Sequence, residues 1–458
     1  MFGKFFSHDS RAVVYVVLSK LWSAGAGFVT LYLLTTRLTI QEQGTYYTFA
    51  NILGLQIFLE LGLGFVVMQV ASHEIAMLQI GESGVISGNP ASKSRLATLL
   101  RGTVKIYAGI AVAFLLLLLP SGAIFFSHNA PSEVSWIGPW ILLVIVAATA
   151  ILLNPLMAFM EGCGRIAEVE GRRLSFAISG NILAWILLLS GVRLYFTAAI
   201  YTATAIGGAV WFWRKHRIWI RDLWCAAAPG HAISWAHEIW PFQWRIAVSW
   251  LSGYFIFQLF NPLLYAYASA AEAGKMGLTL QISGLFGGIA FGWVNTKVPL
   301  FGKHVARREW AQLDRVFVSV FLKSSLVLGS LLLATWGGLS LLPWVSAHMP
   351  SGIGSNLTGR LLTIRERMLP DLGIAALFAC TFSQHLIGCF AAYLRSHKKE
   401  PMLWISLAIG VLVAVAAYFS ARTGAAQSVA VSWCAIQWMI ALPWTFGVFI
   451  TCRRSWHS

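Results

Sequence analysis

The sequence predicts an all-α integral membrane protein with about 12 transmembrane helices in two six-helix bundles and both termini in the cytoplasm. Of its 458 residues, 58% are hydrophobic and 11% are charged, and the mean hydropathy is +0.71. A soluble protein carries roughly 25% charged residues, so this chain cannot cover a water-facing surface of its own size. The composition therefore excludes a disordered chain, a disulfide-stapled secreted domain and an ordinary cytosolic enzyme.

Twelve apolar segments approach the roughly 20 residues that a helix needs to cross a bilayer. They are much longer than the roughly ten alternating residues of a barrel strand, which favours a helical bundle. The predicted spans lie near residues 13–35, 45–70, 105–126, 136–158, 174–192, 196–213, 245–266, 276–296, 316–342, 372–394, 402–420 and 428–450. No signal-peptide pattern precedes the first span, which is long enough to remain as a helix.

The distribution of the 33 Lys and Arg residues predicts the orientation. With a cytoplasmic N-terminus and twelve alternating spans, 24 of them fall on the cytoplasmic side and seven on the other side. This bias follows the positive-inside rule. It accounts for most of the net charge of +16, so the basic loops face anionic lipid headgroups and no nucleic-acid partner is expected.

The second and eighth predicted spans resemble each other at an offset of 230 residues. Glu42 aligns with Glu272 and Gly44 with Gly274, and further identities pair Ile52 with Ile282, Gly54 with Gly284, Leu55 with Leu285 and Gly62 with Gly292. The offset is even in span number, which predicts two halves related by a pseudo-two-fold axis along the membrane normal. We expect bundles at 1–213 and 245–458, a cytoplasmic amphipathic linker at 214–244, and transport by alternating access.

Ionisable residues at or inside the predicted spans are candidates for function, since a charge within a bilayer costs at least ~2.5 kcal/mol. They are Lys20, Glu60, Arg245, Lys323 and His385. The similar depths of Lys20 and Glu60 favour an ion pair between them, whereas Arg245 is also compatible with snorkelling and His385 with a hydrogen bond between helices. The set is net cationic, which suits a cavity for an anion such as phosphate or pyrophosphate.

The seventh predicted span combines polar residues with a helix breaker. Tyr254, Gln258 and Asn261 interrupt its apolar sequence, and Pro262 removes a backbone donor. A break of this kind is typical of transporter helices near their sites, and Pro155 predicts a second hinge in the fourth span.

Several catalytic and cofactor patterns are missing from the sequence. It has no GxxxxGK[ST], no GxSxG or HExxH, and its six Cys show no metal-ligand spacing. We therefore expect a transporter that catalyses no reaction, with no metal site, no covalently bound cofactor, and coupling to a Na⁺ or H⁺ gradient.

Three parts of the sequence resemble one family. The stretch Gln41–Leu63 is similar to the first hairpin of Wzx-type O-antigen and polysaccharide repeat-unit flippases of the multidrug/oligosaccharidyl-lipid/polysaccharide exporter superfamily. The run from Pro241 through Asn261–Pro262 to Glu272–Leu278 resembles the start of that family's second half, and Met160–Arg165 also fits. The specific resemblance covers about eighty residues, and the span pattern extends it to most of the chain.

This resemblance implies a flippase in the bacterial inner membrane. The family moves undecaprenyl-pyrophosphate-linked oligosaccharide repeat units to the outer leaflet for O-antigen and related lipopolysaccharide or surface polysaccharide. On this hypothesis Lys20, Arg245 and Lys323 contact the pyrophosphate, and Tyr254, Gln258 and Asn261 line the sugar cavity. Glu60 holds Lys20 or carries a coupling cation. The expected partners are the lipid-linked oligosaccharide, membrane lipids and polysaccharide polymerase and chain-length proteins, and the protein is expected to function as a monomer.

Two alternatives remain open at this stage. A cation-coupled multidrug exporter of the same superfamily would more naturally place carboxylates in its cavity. A membrane O-antigen polymerase or ligase would need a large outside loop with catalytic Arg or His. The 343–371 loop offers Arg360, Arg365, Arg367 and His348 but is short.

Overall fold

The structure of the chain is a computed structural model. It describes residues 8–80, 86–226, 233–240, 243, 258–348, 353–397, 399 and 401–457. Within these ranges the chain is almost entirely helical and forms two compact units. The first unit comprises Met1–Arg37 and Ile52–Leu251, and the second comprises Leu38–Asn51 and Ser252–Ser458.

The first unit is a bundle of helices with one small hairpin. Its elements are α1 (His8–Arg37), α3 (Gln56–Glu60), α4 (Leu63–Ile75), β1 (Leu78–Ile80), β2 (Ile86–Gly88), α5 (Pro90–Asn129), α6 (Ile137–Ile151), α7 (Asn154–Gly162), α8 (Ile166–Leu189), α9 (Ala199–Trp211) and α10 (Arg217–Cys225). A 3₁₀ helix at Arg193–Ala198 precedes α9, and π segments lie at Phe212–His216 and Trp235–Ile239. α1 packs on α8, and α4 packs on α7.

The second unit contains the remaining helices. They are α2 (Ile40–Leu53, up to Asn51), α11 (Phe260–Tyr267), α12 (Ala270–Asn295), α13 (Val298–Ala306), α14 (Trp310–His348), α15 (Ile353–Glu366), α16 (Asp371–Arg395), α17 (Leu403–Ala421), α18 (Ala426–Ile436) and α19 (Leu442–His457). A π segment at Gln437–Ala441 joins α18 to α19. α12, α14 and α16 pack on one another.

Membrane-spanning helices account for most of both units. The described residues contain ten helices that are long and apolar enough to cross a bilayer, or eleven if a bent pair over Ile40–Ile75 is counted as one span. These helices cover eleven of the twelve predicted spans. Most of the seventh predicted span, 245–266, lies outside the described residues, and α11 forms its end.

The segment from Leu38 to Asn51 departs from the predicted division of the chain. The sequence assigns it to the first bundle, but its contacts place it in the second unit. The Gln43 side-chain amide donates a hydrogen bond of 2.9 Å to the Gly274 carbonyl oxygen, and the Asn51 amide donates one of 2.9 Å to the Gln258 carbonyl. Helix α2 is therefore held by the helices that follow it in the chain by more than two hundred residues.

Two segments on the side that the basic loops assign to the cytoplasm are structured parts of the first unit. The region 71–104 contains the β1–β2 hairpin and the first turns of α5. In the predicted linker 214–244, α10 packs against α5 and is part of the first unit. Trp219 of α10 is buried, with its ring centroid 5.6 Å from that of Phe159.

Candidate anion-binding groove

Helix α14, in the second unit, has a row of polar residues along one face. Arg315, Ser319 and Lys323 follow one another at intervals of four residues, so they lie on one face of the helix. The row is long enough to run about 12 Å along the axis at 1.5 Å per residue. It begins near the end of α14 that the basic loops assign to the cytoplasm and leads toward the membrane interior.

These residues line a cavity with the end of α12. The cavity has a volume of about 390 Å³, and its other walls include Trp293 of α12 and Lys297, which lies between α12 and α13. The side chains of Arg315 and Lys323 are exposed, and Lys297 is partly buried. We call this cavity the α12–α14 groove.

The groove is strongly positive. Within the described parts of the chain, none of Lys297, Arg315 and Lys323 forms an ion pair. The nearest acidic residue in sequence, Asp314, already accepts a hydrogen bond of 2.6 Å from the Arg453 guanidinium and another of 2.6 Å from the Tyr393 hydroxyl. Three cations that line one cavity without a counter-charge favour an anion as the ligand of the groove.

His385 belongs to α16 and contacts α14 beside the groove. Its Nε2 is 3.0 Å from the hydroxyl oxygen of Ser324, the residue that follows Lys323, and the ring is 4% exposed. Nδ1 has no hydrogen-bond partner among the described residues. The contact matches the interhelical hydrogen bond considered from the sequence, and the coupling role of His385 stays a prediction.

Glu60 lies in a separate polar site in the first unit. Its Oε1 accepts hydrogen bonds from the Gln56 amide and, at 3.2 Å, from the Asn154 amide. In the described chain Glu60 forms no ion pair with Lys20, so the predicted charge pair is not formed in this structure. The carboxylate is instead stabilised by two neutral donors, because the chain bends at Leu61 and Gly62 and α7 begins at Asn154 beside it.

The other predicted site residues that the structure describes belong to both units. Lys20 is exposed on α1 in the first unit, whereas Gln258 and the buried Asn261 lie at the start of α11 in the second unit. Arg245 and Tyr254 lie outside the described residues.

The two predicted hinge prolines both stand in the first turn of a helix. Pro155 follows the break between α6 and α7, and Pro262 is the third residue of α11. A proline at the start of a helix loses no intrahelical hydrogen bond, because its missing N–H has no partner there in any case.

Sequence reasoning identified Lys323 and Glu60 but missed their surroundings. Lys297 and Arg315 fall one residue outside the predicted spans 276–296 and 316–342, although the four-residue spacing of Arg315, Ser319 and Lys323 is that of one helix face. Nothing in the sequence pattern pairs Asn154 with Glu60, because the two are 94 residues apart and meet through tertiary packing.

Comparison with known proteins identifies the fold. No protein-family model and no curated protein matches the sequence. An inward-facing multidrug resistance MATE family transporter of the MOP superfamily is similar in structure, with a TM-score of 0.67 and 12% identity over 97% of this chain and 99% of that chain. The lipid II flippase MurJ in an inward closed conformation gives a TM-score of 0.66 and 10% identity over 97% of this chain and 90% of that chain.

A third similar structure is MATE in complex with MaL6, with a TM-score of 0.51 and 15% identity over 97% of each chain. At these identities the similarity establishes the fold alone. The predicted all-α architecture of many membrane-spanning helices is confirmed, and the chain has the fold of the MATE transporters and the MurJ flippase.

Proposed function

We propose that the protein is a flippase for a lipid-linked oligosaccharide, which it moves across the bacterial inner membrane by alternating access. The observation that carries the proposal is the α12–α14 groove, where Lys297, Arg315 and Lys323 lie together without an acidic partner. The fold, shared with a lipid II flippase, supports the same reaction class. The resemblance of Gln41–Leu63 to Wzx-type flippases favours undecaprenyl-pyrophosphate-linked repeat units of O-antigen or a related polysaccharide as the substrate.

The distribution of positive charge along the groove suits a pyrophosphate. Arg315 and Lys323 are separated by about 12 Å along α14, so positive charge is offered at two depths. A pyrophosphate carries several negative oxygens, and Arg and Lys bind such groups with charge-assisted hydrogen bonds. The lipid chain of the substrate would remain in the bilayer while the cations guide its headgroup, and Lys20 and Arg245 are proposed as further contacts along the path.

Glu60 supplies a proposed coupling site in the other unit. Both amide donors bind its Oε1, and its Oε2 has no hydrogen-bond partner among the described residues. A carboxylate oxygen inside a membrane-spanning helix can take up a proton or Na⁺. Coupling to either gradient, monomeric function and association with polysaccharide polymerase and chain-length proteins are parts of the same proposal.

A multidrug exporter is the second candidate, because the same fold occurs in MATE transporters and Glu60 could face a cationic substrate. The groove opposes this function, since three cations repel a cationic drug. The polymerase alternative is weaker still. Arg365 donates to the Asp371 carboxylate at 2.5 Å and Arg367 to the Leu38 carbonyl at 2.7 Å, so these two side chains already have structural partners.

Reconstitution in vesicles tests the proposal. A polyprenyl-pyrophosphate-linked sugar with a fluorescent label serves as the probe, and its flipping is followed by quenching with an impermeant reagent. We expect the double variant R315Q/K323Q to slow flipping by at least about tenfold, because two charge-assisted contacts are lost.

Lys303 provides the matched control, because it is an exposed cation of α13 that does not line the groove. K303Q should flip the probe at the unmodified rate. Normal flipping by R315Q/K323Q would contradict the role of the groove. Transport of a cationic dye without flipping of the lipid probe would establish the exporter instead.

A further inference from the structure

A second positive cavity lies in the second unit, separate from the α12–α14 groove. It has a volume of about 500 Å³, and Arg308, Trp310, His397, Lys399 and Trp456 are among its lining residues. Arg308 precedes α14, His397 and Lys399 follow α16, and Trp456 stands near the end of α19. All of these helix ends lie on the side that the basic loops assign to the cytoplasm.

Stacked rings from α14, from the segment after α16 and from α19 form one wall of this cavity. The Trp310 and His457 rings stack with centroids 4.3 Å apart and an interplanar angle of 11°. The His397 ring lies 5.0 Å from that of Trp456, and its Nε2 is 3.3 Å from Nε2 of His457. Tryptophan is the residue that membrane proteins concentrate at the headgroup level of the bilayer.

The charge of the cavity comes from Arg308 and Lys399. Burial, followed by the nearby Lys399 charge, lowers the pKa of His397, so this ring is neutral at neutral pH. Neither Arg308 nor Lys399 forms an ion pair with a described residue. Glu309, the acidic neighbour of Arg308, is bound to His304 at 2.6 Å and lies 3.9 Å from Arg307.

Arg308 also has an unusual backbone. Its φ of 56° lies in the left-handed region, at the end of α13 where glycine is the common residue. A residue with a β-carbon is less stable than glycine in this conformation. Arg308 nevertheless occupies the position and lines the cavity with its cationic side chain. Lys399 also lines the cavity, with its Nζ 4.5 Å from the centroid of the Trp456 ring.

We propose that this cavity binds the phosphate headgroup of an anionic phospholipid from the cytoplasmic leaflet. Arg308 and Lys399 contact the phosphate, and Trp310 and Trp456 hold the glycerol region at the membrane interface. Basic pockets between the cytoplasmic ends of membrane helices are suited to such headgroups. The described lining residues include no acidic side chain, which selects against zwitterionic lipids, whose ammonium group would meet Arg308 or Lys399.

The site would tie three helices together. α14, the segment that follows α16, and α19 each contribute a lining residue, so a bound lipid would bridge these helix ends and stabilise the second unit. A ligand that binds the folded state raises its stability. This proposal does not depend on which substrate is transported.

Native mass spectrometry of the delipidated protein in detergent tests the site, with cardiolipin, phosphatidylglycerol and phosphatidylethanolamine as separate probes. The unmodified protein should retain the two anionic lipids in preference to the zwitterionic one. The double variant R308G/K399Q should bind the anionic lipids about 30-fold more weakly, because two surface cations are removed. The matched control R454Q, an exposed cation of α19 outside the cavity, should bind as the unmodified protein does.

R308G separates loss of the ligand from loss of the fold. Glycine relieves the left-handed strain, so the lipid-free variant should unfold at the same temperature as the unmodified protein or a higher one. Added cardiolipin should raise the thermal midpoint of the unmodified protein and not that of R308G/K399Q. Equal lipid binding by the double variant, or a stronger effect of glycerol phosphate or inorganic phosphate than of cardiolipin, would overturn the proposal.

Discussion

Helices α2 and α12, which the sequence repeat relates, begin alike and end differently. Each starts after a hydroxyl residue that accepts a backbone hydrogen bond of 3.1 Å from the third residue of its helix, at Thr39 with Glu42 and at Ser269 with Glu272. α12 then runs straight on for 26 residues. α2 ends after 14 residues, and its span continues through the short α3 into α4 with a bend of 44°.

The difference shows that the glycine pattern does not determine the bend. Gly62 has a φ of 72° in the bent span, whereas its repeat partner Gly292 lies inside the continuous helix α12. α12 remains within one unit, but the chain after α2 passes from the second unit to the first at Asn51. Tertiary packing therefore decides whether a glycine of the repeat becomes a bend or remains helical.

The largest expected effect is at Gly44, where α2 and α12 touch. A β-carbon on Gly44 would lie 1.7 Å from the Ala270 carbonyl oxygen and 3.1 Å from the Gly274 nitrogen. Since backbone atoms cannot rotate away, Gly44→Ala must push the helices apart and break the hydrogen bond from Gln43 to Gly274. We expect the free energy of unfolding to fall by more than about 3 kcal/mol. The measurement is the shift of the unfolding midpoint in one detergent.

Gly284→Ala is the matched control for this prediction. Gly284 is also a repeat glycine in a membrane helix, but a β-carbon there would meet nothing within 4 Å. The variant should unfold at the unmodified midpoint or slightly above it. Equal destabilisation by the two substitutions would show that close packing at Gly44 is not what joins α2 to the second unit.

The sequence was sufficient to locate most of the membrane spans, but it was not sufficient to assign every helix to its unit. Long apolar runs and the distribution of Lys and Arg are local properties of the chain, so they located eleven described spans, although several helices extend well beyond the predicted ends. The transfer of Leu38–Asn51 to the second unit depends on contacts such as Gln43 with Gly274, which are 231 residues apart. No period in the sequence encodes such a pair.

The candidate sites show the same limit. Lys323 and Glu60 were recognisable because a charge in an apolar run is costly wherever the run folds. Their partners were not, since Lys297 joins Lys323 from the link between α12 and α13, and Asn154 joins Glu60 across the first unit. Depth along a helix follows from the sequence, but the choice between Lys20 and two amides as partners of Glu60 depends on packing.

The hydroxyl caps should give smaller and nearly equal effects. Thr39→Ala and Ser269→Ala each remove one side-chain acceptor at a helix start. Each should lower the free energy of unfolding by about 1 kcal/mol, measured from the shift of the unfolding midpoint. Glu272→Ala should lower the free energy of unfolding more than Ser269→Ala does. The Glu272 carboxylate accepts a hydrogen bond of 2.9 Å from the Ala426 nitrogen at the start of α18 and one of 2.7 Å from Lys275. A negligible effect of both hydroxyl variants would mean that packing alone sets where α2 and α12 begin.

The smallest effects should differ in sign at the two repeat positions where the helices diverge. Gly62→Ala places a β-carbon on a left-handed residue and should destabilise by about 1 kcal/mol. Gly292→Ala places one in a helix interior with nothing within 4 Å, and should stabilise by about 0.5 kcal/mol because alanine loses less backbone freedom. Both are read as thermal midpoints in the same detergent. Effects of the same sign would indicate that α12 bends as α2 does when the protein is in solution, and that packing within one unit does not keep it straight.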